Sequence, residues 1–168
     1  MQRQIFNFDN LEESVIIKLG QKQHIWSKPI SAGGIIFYKP NINKILLTKC
    51  KFKSWWEDLG GKVEIEDETI WSTIIREVNE ESNGHISIKY LDIMNHKLYY
   101  VPSAKYAYVV YKVADDWLCD TTIFGTCESH NGLKRKLEWV DVYDLKHKYL
   151  SPRLQSHDIF DILCKTII

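Results

Sequence analysis

Gly60-Gly61-Lys62-Val63-Glu64-Ile65-Glu66-Asp67-Glu68, then after seven residues Arg76-Glu77-Val78-Asn79-Glu80-Glu81, is the stretch on which the reading of this chain turns. Its second half lies on a predicted helix from about residue 68 to 82. There Ile70, Trp71, Ile74, Ile75 and Val78 recur at i, i+1, i+4, i+5 and i+8, one apolar stripe. Asn83-Gly84 supplies the stop, since both residues tolerate a left-handed backbone. A helix turns about 100° per residue, so positions three and four apart share a face. Glu77, Glu80 and Glu81 therefore form one carboxylate cluster beside the stripe. Like charges at that spacing repel, and the compensating charge best matched to carboxylate oxygens is a hard divalent cation. Arg76, four residues before Glu80, is placed to orient it, while Gly60-Gly61 lets backbone approach the same spot and offers a carbonyl oxygen. Three acids on a helix usually mean a solvated face; the glycine pair and the Arg-Glu spacing set that reading aside.

Outward from this core the chain mixes strands and helices without βαβ regularity, which predicts an α+β fold. Upstream, 33–38 reads as a buried strand, Lys39-Pro40-Asn41-Ile42-Asn43 as a turn and 44–48 as the returning strand. Downstream, three β-rich runs cover 86–93, 97–101 and 106–113, a loop-like stretch covers 115–136, and 137–140 is a further strand. Residues 11–20 fit a short helix or a strand equally, and 158–165 fit a terminal helix.

At 168 residues the chain is expected to be one domain, 1–168, with enough length for a real core. Zero net charge argues against a broad electrostatic grip on nucleic acid but leaves room for a local basic patch. Cys50, Cys119, Cys127 and Cys164 include no CxxC pair, which predicts free thiols in a reducing compartment. No apolar run reaches signal-peptide or membrane-span length, so the expected location is the cytoplasm, with no membrane partner.

The glycine pair, the seven-residue spacing and Arg76-Glu77-Val78-Asn79-Glu80-Glu81 resemble the Nudix box. The likeness extends over about residues 30–145: Ala32-Gly33-Gly34-Ile35-Ile36-Phe37 is similar to the family's opening strand, Lys44-Ile45-Leu46-Leu47 to its partner, and Leu137-Glu138-Trp139-Val140 to its late strand. The resemblance implies a Nudix α/β/α sandwich with a mixed β-sheet. It also implies Mg2+-dependent hydrolysis, with Mn2+ as an alternative, of a diphosphate bond in a small phosphorylated substrate, a nucleotide derivative first of all. Glu77 and Glu81 match the family's metal ligands, Glu80 a further ligand or the water-activating base, Arg76 the orienting arginine, and the Gly60 carbonyl a backbone ligand. Relatives that take their base from a later loop point to Asp120, Glu128 or His130. The chain departs from the pattern in three places, one being Gly84 where the family has an aliphatic residue, with Ile86 expected to take over that packing. Six residues separate Gly61 from Glu68 where the family has five, so either the loop bulges or Asp67 stands in for the first glutamate. Asn83 replaces the terminal glycine, a mild change in a left-handed position.

Trp55 and Trp56, just before the glycine pair, are candidates to stack a base, with one of them expected in the core; Lys62 is a candidate phosphate contact. Tyr99 and Tyr100 read as packing residues and Arg153 as a surface arginine, a phosphate contact being its second reading. Capped messenger RNA is not favoured, because the charge is balanced and no RNA-binding extension is visible. A diphosphoinositol substrate wants a denser basic pocket than the sequence displays, although Lys49, Lys51 and Lys53 would alternate on one strand face. A silent ligand-binding domain finds its one support in the extra loop residue, and an isomerase has only Cys50 near the box. Monomer and homodimer are both open.

Overall fold

The computed structural model describes residues 30–155, together with Ile159 and Leu163. The ambiguous stretch 11–20 lies outside the described residues, as does most of 158–165, of which Ile159 and Leu163 are helical and buried. Six strands and two helices position the site: β1 (Ala32–Lys39), β2 (Lys44–Cys50), β3 (Leu59–Lys62), α1 (Ile70–Glu81), α2 (Tyr90–Met94), β4 (Leu98–Val101), β5 (Tyr106–Lys112) and β6 (Arg135–Asp141).

The sheet runs β4-β5-β1-β2-β6, with β3 also paired to β1. β1 lies parallel to β5 and antiparallel to its other neighbours, so the sheet is mixed. One edge of β1 is shared. Its first half, Ala32 to Ile35, pairs with β3, while Tyr38 and Lys39 pair with β2. The Gly60-Gly61 pair thus enters as a short strand opposite Gly34 and Gly33, where the sequence showed only a glycine corner. Close approach explains the glycines: a Cβ on Gly61 would collide with the Glu77 carboxylate, and one on Gly34 with the Tyr106 hydroxyl.

Side chains alternate across a strand, and the two faces of β1 go to two cores. Ile35 and Phe37 join Leu46, Ala107, Val109 and Leu137 under Ile70, Ile74 and Val78 of α1. Ile36 and Tyr38 join Ile45, Leu47, Tyr108 and Val140 on the opposite face, covered by Val142, Leu145, Leu150, Leu154, Ile159 and Leu163. This is the expected α/β/α layering.

Two expectations change. Residues 86–93 do not form a strand: Ile86 and Ile93 are buried in the core under α1, and the turn of α2 carries Leu91 into solvent. Alternating apolar residues there serve a connection packed on the helix rather than a sheet edge. The lysine alternation at 49, 51 and 53 also breaks, because β2 ends at Cys50 and Lys53 turns back to pair with Glu57 at 2.5 Å. From 115 to 134 the chain is a loop carrying one 3-10 turn, Thr121–Phe124, that buries Phe124, and the late strand begins at Arg135 rather than at 137.

Candidate functional site

Helix α1 starts where Thr69 caps it, its hydroxyl accepting the Ser72 amide at 3.1 Å. Burying Ile70, Ile74 and Val78 turns Glu77, Glu80 and Glu81 toward the β3 glycines and the loop 124–131. Arg76 is the hub of the acidic face. It donates to Asp67 through Nε (3.1 Å) and Nη2 (2.9 Å), to Glu77 at 2.9 Å, to Glu80 at 3.3 Å and to the Lys62 carbonyl at 2.8 Å.

Of the two alternatives for the lengthened loop, the geometry selects Asp67. It is buried, takes the guanidinium fork of Arg76, and accepts from the Thr73 hydroxyl and the Glu64 amide, both at 2.9 Å, while Glu68 is exposed. A shorter acid one position earlier reaches the arginine and absorbs the extra residue.

Glu81 is recessed behind this layer and accepts the Gly60 amide at 2.9 Å. Burial pushes its carboxyl well above the usual range; Arg153 opposes this, and Glu77, Glu128 and Glu57 add to it. Burial also raises Glu77, against the pull of Arg76, with Glu80 and Glu64 pushing it further up. Burial and the neighbouring carboxylates thus act together to raise the proton affinity of Glu77 and Glu81.

Asp58, Tyr106 and Arg153 form a buried polar floor that sequence reasoning did not find. Tyr106 donates to Asp58 at 2.5 Å, and Arg153 donates to Asp58 at 2.8 Å and to the Gly60 carbonyl at 3.2 Å. Arg153 is thus neither a surface arginine nor an open phosphate contact, since its fork is taken. Burial pushes the Asp58 carboxyl up despite Arg153 and Tyr106. The signal available in the sequence was Glu57-Asp58, two acids set between the apolar Trp56 and Leu59.

The late loop does reach the site. His130 Nε2 lies 3.7 Å from Glu80 and 3.9 Å from the buried Glu128, so these two candidates join the acidic face. Asp120 does not: its carboxylate is exposed and caps its own turn through Thr122. Asn83, with φ of 54°, holds the loop in place. Its amide donates to the Phe124 and Cys127 carbonyls, both at 2.8 Å, and its oxygen accepts the Ser129 amide at 2.8 Å and hydroxyl at 2.9 Å. Glycine at this position would offer none of those bonds.

Trp56 is 7% exposed in the second core, its ring approached by Lys49, Lys136 and Lys148, so it presents no open face. Trp55 is half-buried, edge-on to Tyr149, and its indole Nε1 has no hydrogen-bond partner among the described residues. Lys62 is exposed at the end of β3. Tyr99 stacks on Tyr108, as a packing residue. Cys50, Cys119 and Cys127 are free thiols.

As the side chains stand, no three His, Cys, Asp or Glu among the described residues converge on one point as metal ligands. Glu81 faces the Gly60 amide and Glu77 faces Arg76. The donor set nevertheless fits a hard divalent cation: it is made of carboxylate oxygens, its members raise one another's proton affinity, and a cation would relieve that repulsion.

A family model described as NUDIX domain matches residues 28–157. Among solved structures, a MutT from work on the fish pathogen Aliivibrio salmonicida and on Vibrio cholerae is 20% identical, with a TM-score of 0.53 over 83% of this chain and 99% of that one. An Ap4A hydrolase of C. elegans is 18% identical, with a TM-score of 0.51 over 82% and 94% of the two chains. A bifunctional NMN adenylyltransferase/ADP ribose pyrophosphatase of Francisella tularensis, complexed with AMP and a Mn ion, is 18% identical at a TM-score of 0.51; the match covers 84% of this chain and 43% of that one. At such identities these likenesses show a shared fold. No curated protein matches the chain. Among the described residues no helix is long and apolar enough to cross a membrane.

Proposed function

The chain belongs to the Nudix family, and from that premise we propose that it is a divalent-metal-dependent pyrophosphohydrolase. It cuts the diphosphate linkage of a nucleoside diphosphate derivative by attack of water on phosphorus. The observation that carries this reading is the acidic face of α1: Glu77, Glu80 and Glu81 beside Gly60, braced by Arg76 and Asp67. Glu77, Glu80, Glu81 and the Gly60 carbonyl, which also accepts from Arg153, would hold magnesium or manganese. The ion supplies neutralisation of phosphoryl charge and a more acidic water.

The chain's own residues do the rest. Arg76 fixes the carboxylates of Glu77 and Glu80, so the site is organised before substrate arrives. Glu80, braced by Arg76 yet not buried, receives the proton of the attacking water, with His130 placed to share it. Glu128, buried 3.9 Å from His130, is the second candidate for that proton. Lys62, exposed beside Gly61, reaches for a phosphate oxygen, and Trp55 is the candidate platform for a base. The silent-domain reading loses its motive, because Asp67 accommodates the extra loop residue.

The test is a panel of nucleoside diphosphate derivatives with products identified by mass spectrometry. Turnover should vanish in chelator and return with magnesium or manganese. Glu81→Gln keeps shape and removes charge, so it should lose at least ~10²-fold in rate while holding its fold. Full turnover in chelator, or near wild-type rates in Glu81→Gln, would sink the mechanism.

A further inference from the structure

We propose that Lys39 and Cys119 form a modification site, where a peroxide drives a covalent link between the lysine nitrogen and the cysteine sulfur. The pair sits at the opposite end of β1 from Gly33 and Gly34, and the inference stands apart from the hydrolase reading.

Topology brings the two residues together. β1 and β5 run parallel, with Tyr38 opposite Lys112, so both strands end at the same edge of the sheet. The Val113 amide donates to the Tyr38 carbonyl at 2.9 Å, and the loop that follows turns back over Lys39. Three contacts hold that loop. Trp117 packs on Phe37 with ring centroids 4.9 Å apart, the Trp139 indole donates to the Leu118 carbonyl at 2.8 Å, and the Cys119 thiol donates to the Asp115 carbonyl at 3.3 Å.

Lys39 is the unusual member. Alternation along β1 sends its side chain to the face of Ile35 and Phe37, and it is 1% exposed. A buried ammonium ordinarily has a carboxylate beside it. Among the described residues the partners of Nζ are instead the face of Trp139, 4.1 Å from the ring centroid, and the Cys119 sulfur at 3.4 Å. An aromatic face attracts a cation modestly, and sulfur is a weak acceptor. The buried nitrogen is thus aimed at a sulfur that is itself open to solvent. Cys119 is exposed, whereas Cys50 is buried and Cys127 half-buried. A small oxidant therefore reaches this thiol first, and the nucleophile waiting beside it is Lys39.

The chemistry takes two steps. The sulfur, as thiolate, attacks one oxygen of hydrogen peroxide; the O–O bond breaks, the other oxygen leaves as hydroxide and becomes water, and Cys119 is a sulfenic acid. Nζ, its ammonium proton given to solvent, then attacks that sulfur. The S–O bond breaks, and the departing hydroxide takes a proton from the nitrogen and leaves as water. In sum, amine, thiol and peroxide give a nitrogen–sulfur bond and two waters, with sulfur oxidised and peroxide reduced by two electrons. The product is neutral, so the link also removes a buried charge that lacks a carboxylate partner. Thiols reverse it by attacking the sulfur and returning the amine, so in a reducing compartment the link persists only while oxidant does.

The experiment is mass spectrometry of the whole chain after treatment with hydrogen peroxide in chelator, and again after dithiothreitol. Wild type should lose about 2 Da, the two hydrogens given up in the link, with the peptides of Lys39 and Cys119 joined. Closing so long a loop should raise Tm by about 5–15 °C. Dithiothreitol should undo both changes. Cys119→Ser, at an exposed position, should keep its fold and lose the link. Lys39→Met removes the buried charge at similar length, and its Cys119 should accumulate sulfenic acid that a dimedone probe traps. The same peptides joined through a retained oxygen, about 14 Da heavier than the unlinked chain, support the site and replace the second step. Oxygen added to Cys119 without a link in wild type overturns the proposal. A disulfide of Cys119 with another cysteine as the source of the mass loss does so too, as does equal dimedone trapping in wild type and Lys39→Met.

Discussion

Replacing Asn83 by glycine restores the residue that the family pattern carries at the end of the box and isolates what the asparagine side chain adds. Glycine adopts the φ of 54° without strain, so the backbone conformation is kept. What disappears is the set of four bonds to Phe124, Cys127 and Ser129. A net hydrogen bond is worth about 0.5–1.5 kcal/mol. The contacts to Ser129 are exposed and re-solvate easily, so the low end applies and the four together come to roughly 2 kcal/mol. Glycine's greater freedom in the unfolded chain adds up to ~1 kcal/mol. For a domain of this size, that is a fall in Tm of about 4–12 °C. Release of the loop should also expose amides between Phe124 and Asn131 to hydrogen exchange and lower kcat, because Glu128 and His130 ride on it. Thermal unfolding, exchange mass spectrometry and steady-state kinetics on one preparation test the chain of reasoning. Unchanged exchange in that loop, with Tm within 1–2 °C of wild type, would refute the claim that Asn83 is what pins it.

The acid limb of stability should report on Asp67. Burial would raise its carboxyl, but hydrogen bonds from Arg76, the Glu64 amide and Thr73 outweigh that and hold it below the ordinary value of 3.8. A lowered folded-state carboxyl contributes stability that is present above 3.8 and is lost as pH falls below it, through the folded value. Urea unfolding should therefore show Asp67→Asn less stable than wild type at neutral pH and the gap closing only below about pH 3.8; a gap that does not change with pH would count against the pairing. For the tryptophans, Trp55→Ala should raise the nucleotide KM by about 5- to 150-fold with less effect on kcat, the worth of a base stack. Trp56→Ala should instead destabilise the fold by about 3–5 kcal/mol, as loss of a buried aromatic does, and a folded Trp56→Ala enzyme with a raised KM would reverse the two assignments.

The acidic face was legible in one dimension because a helix places its residues by local geometry alone. Once Ile70, Ile74 and Val78 are the buried side, the directions of Glu77, Glu80 and Glu81 follow from the turn angle. The strands 33–38 and 44–48 were legible for the same reason, their alternation serving two cores, one on each face. Everything that depends on chain segments far apart was decided by tertiary structure. Asp67 rather than Glu68 holds Arg76, because burial and reach, not spacing, choose between adjacent acids. Arg153 sits under Gly60 because the chain after β6 folds back across the sheet, 93 residues beyond that glycine. Lys39 and Cys119, 80 residues apart, meet only because β1 and β5 run parallel and end side by side; in the sequence they are one lysine among many and a lone thiol. Residues 86–93 misled because alternation records that a segment has an apolar side, and only the packing of the whole chain decides whether a strand partner or a helix covers it.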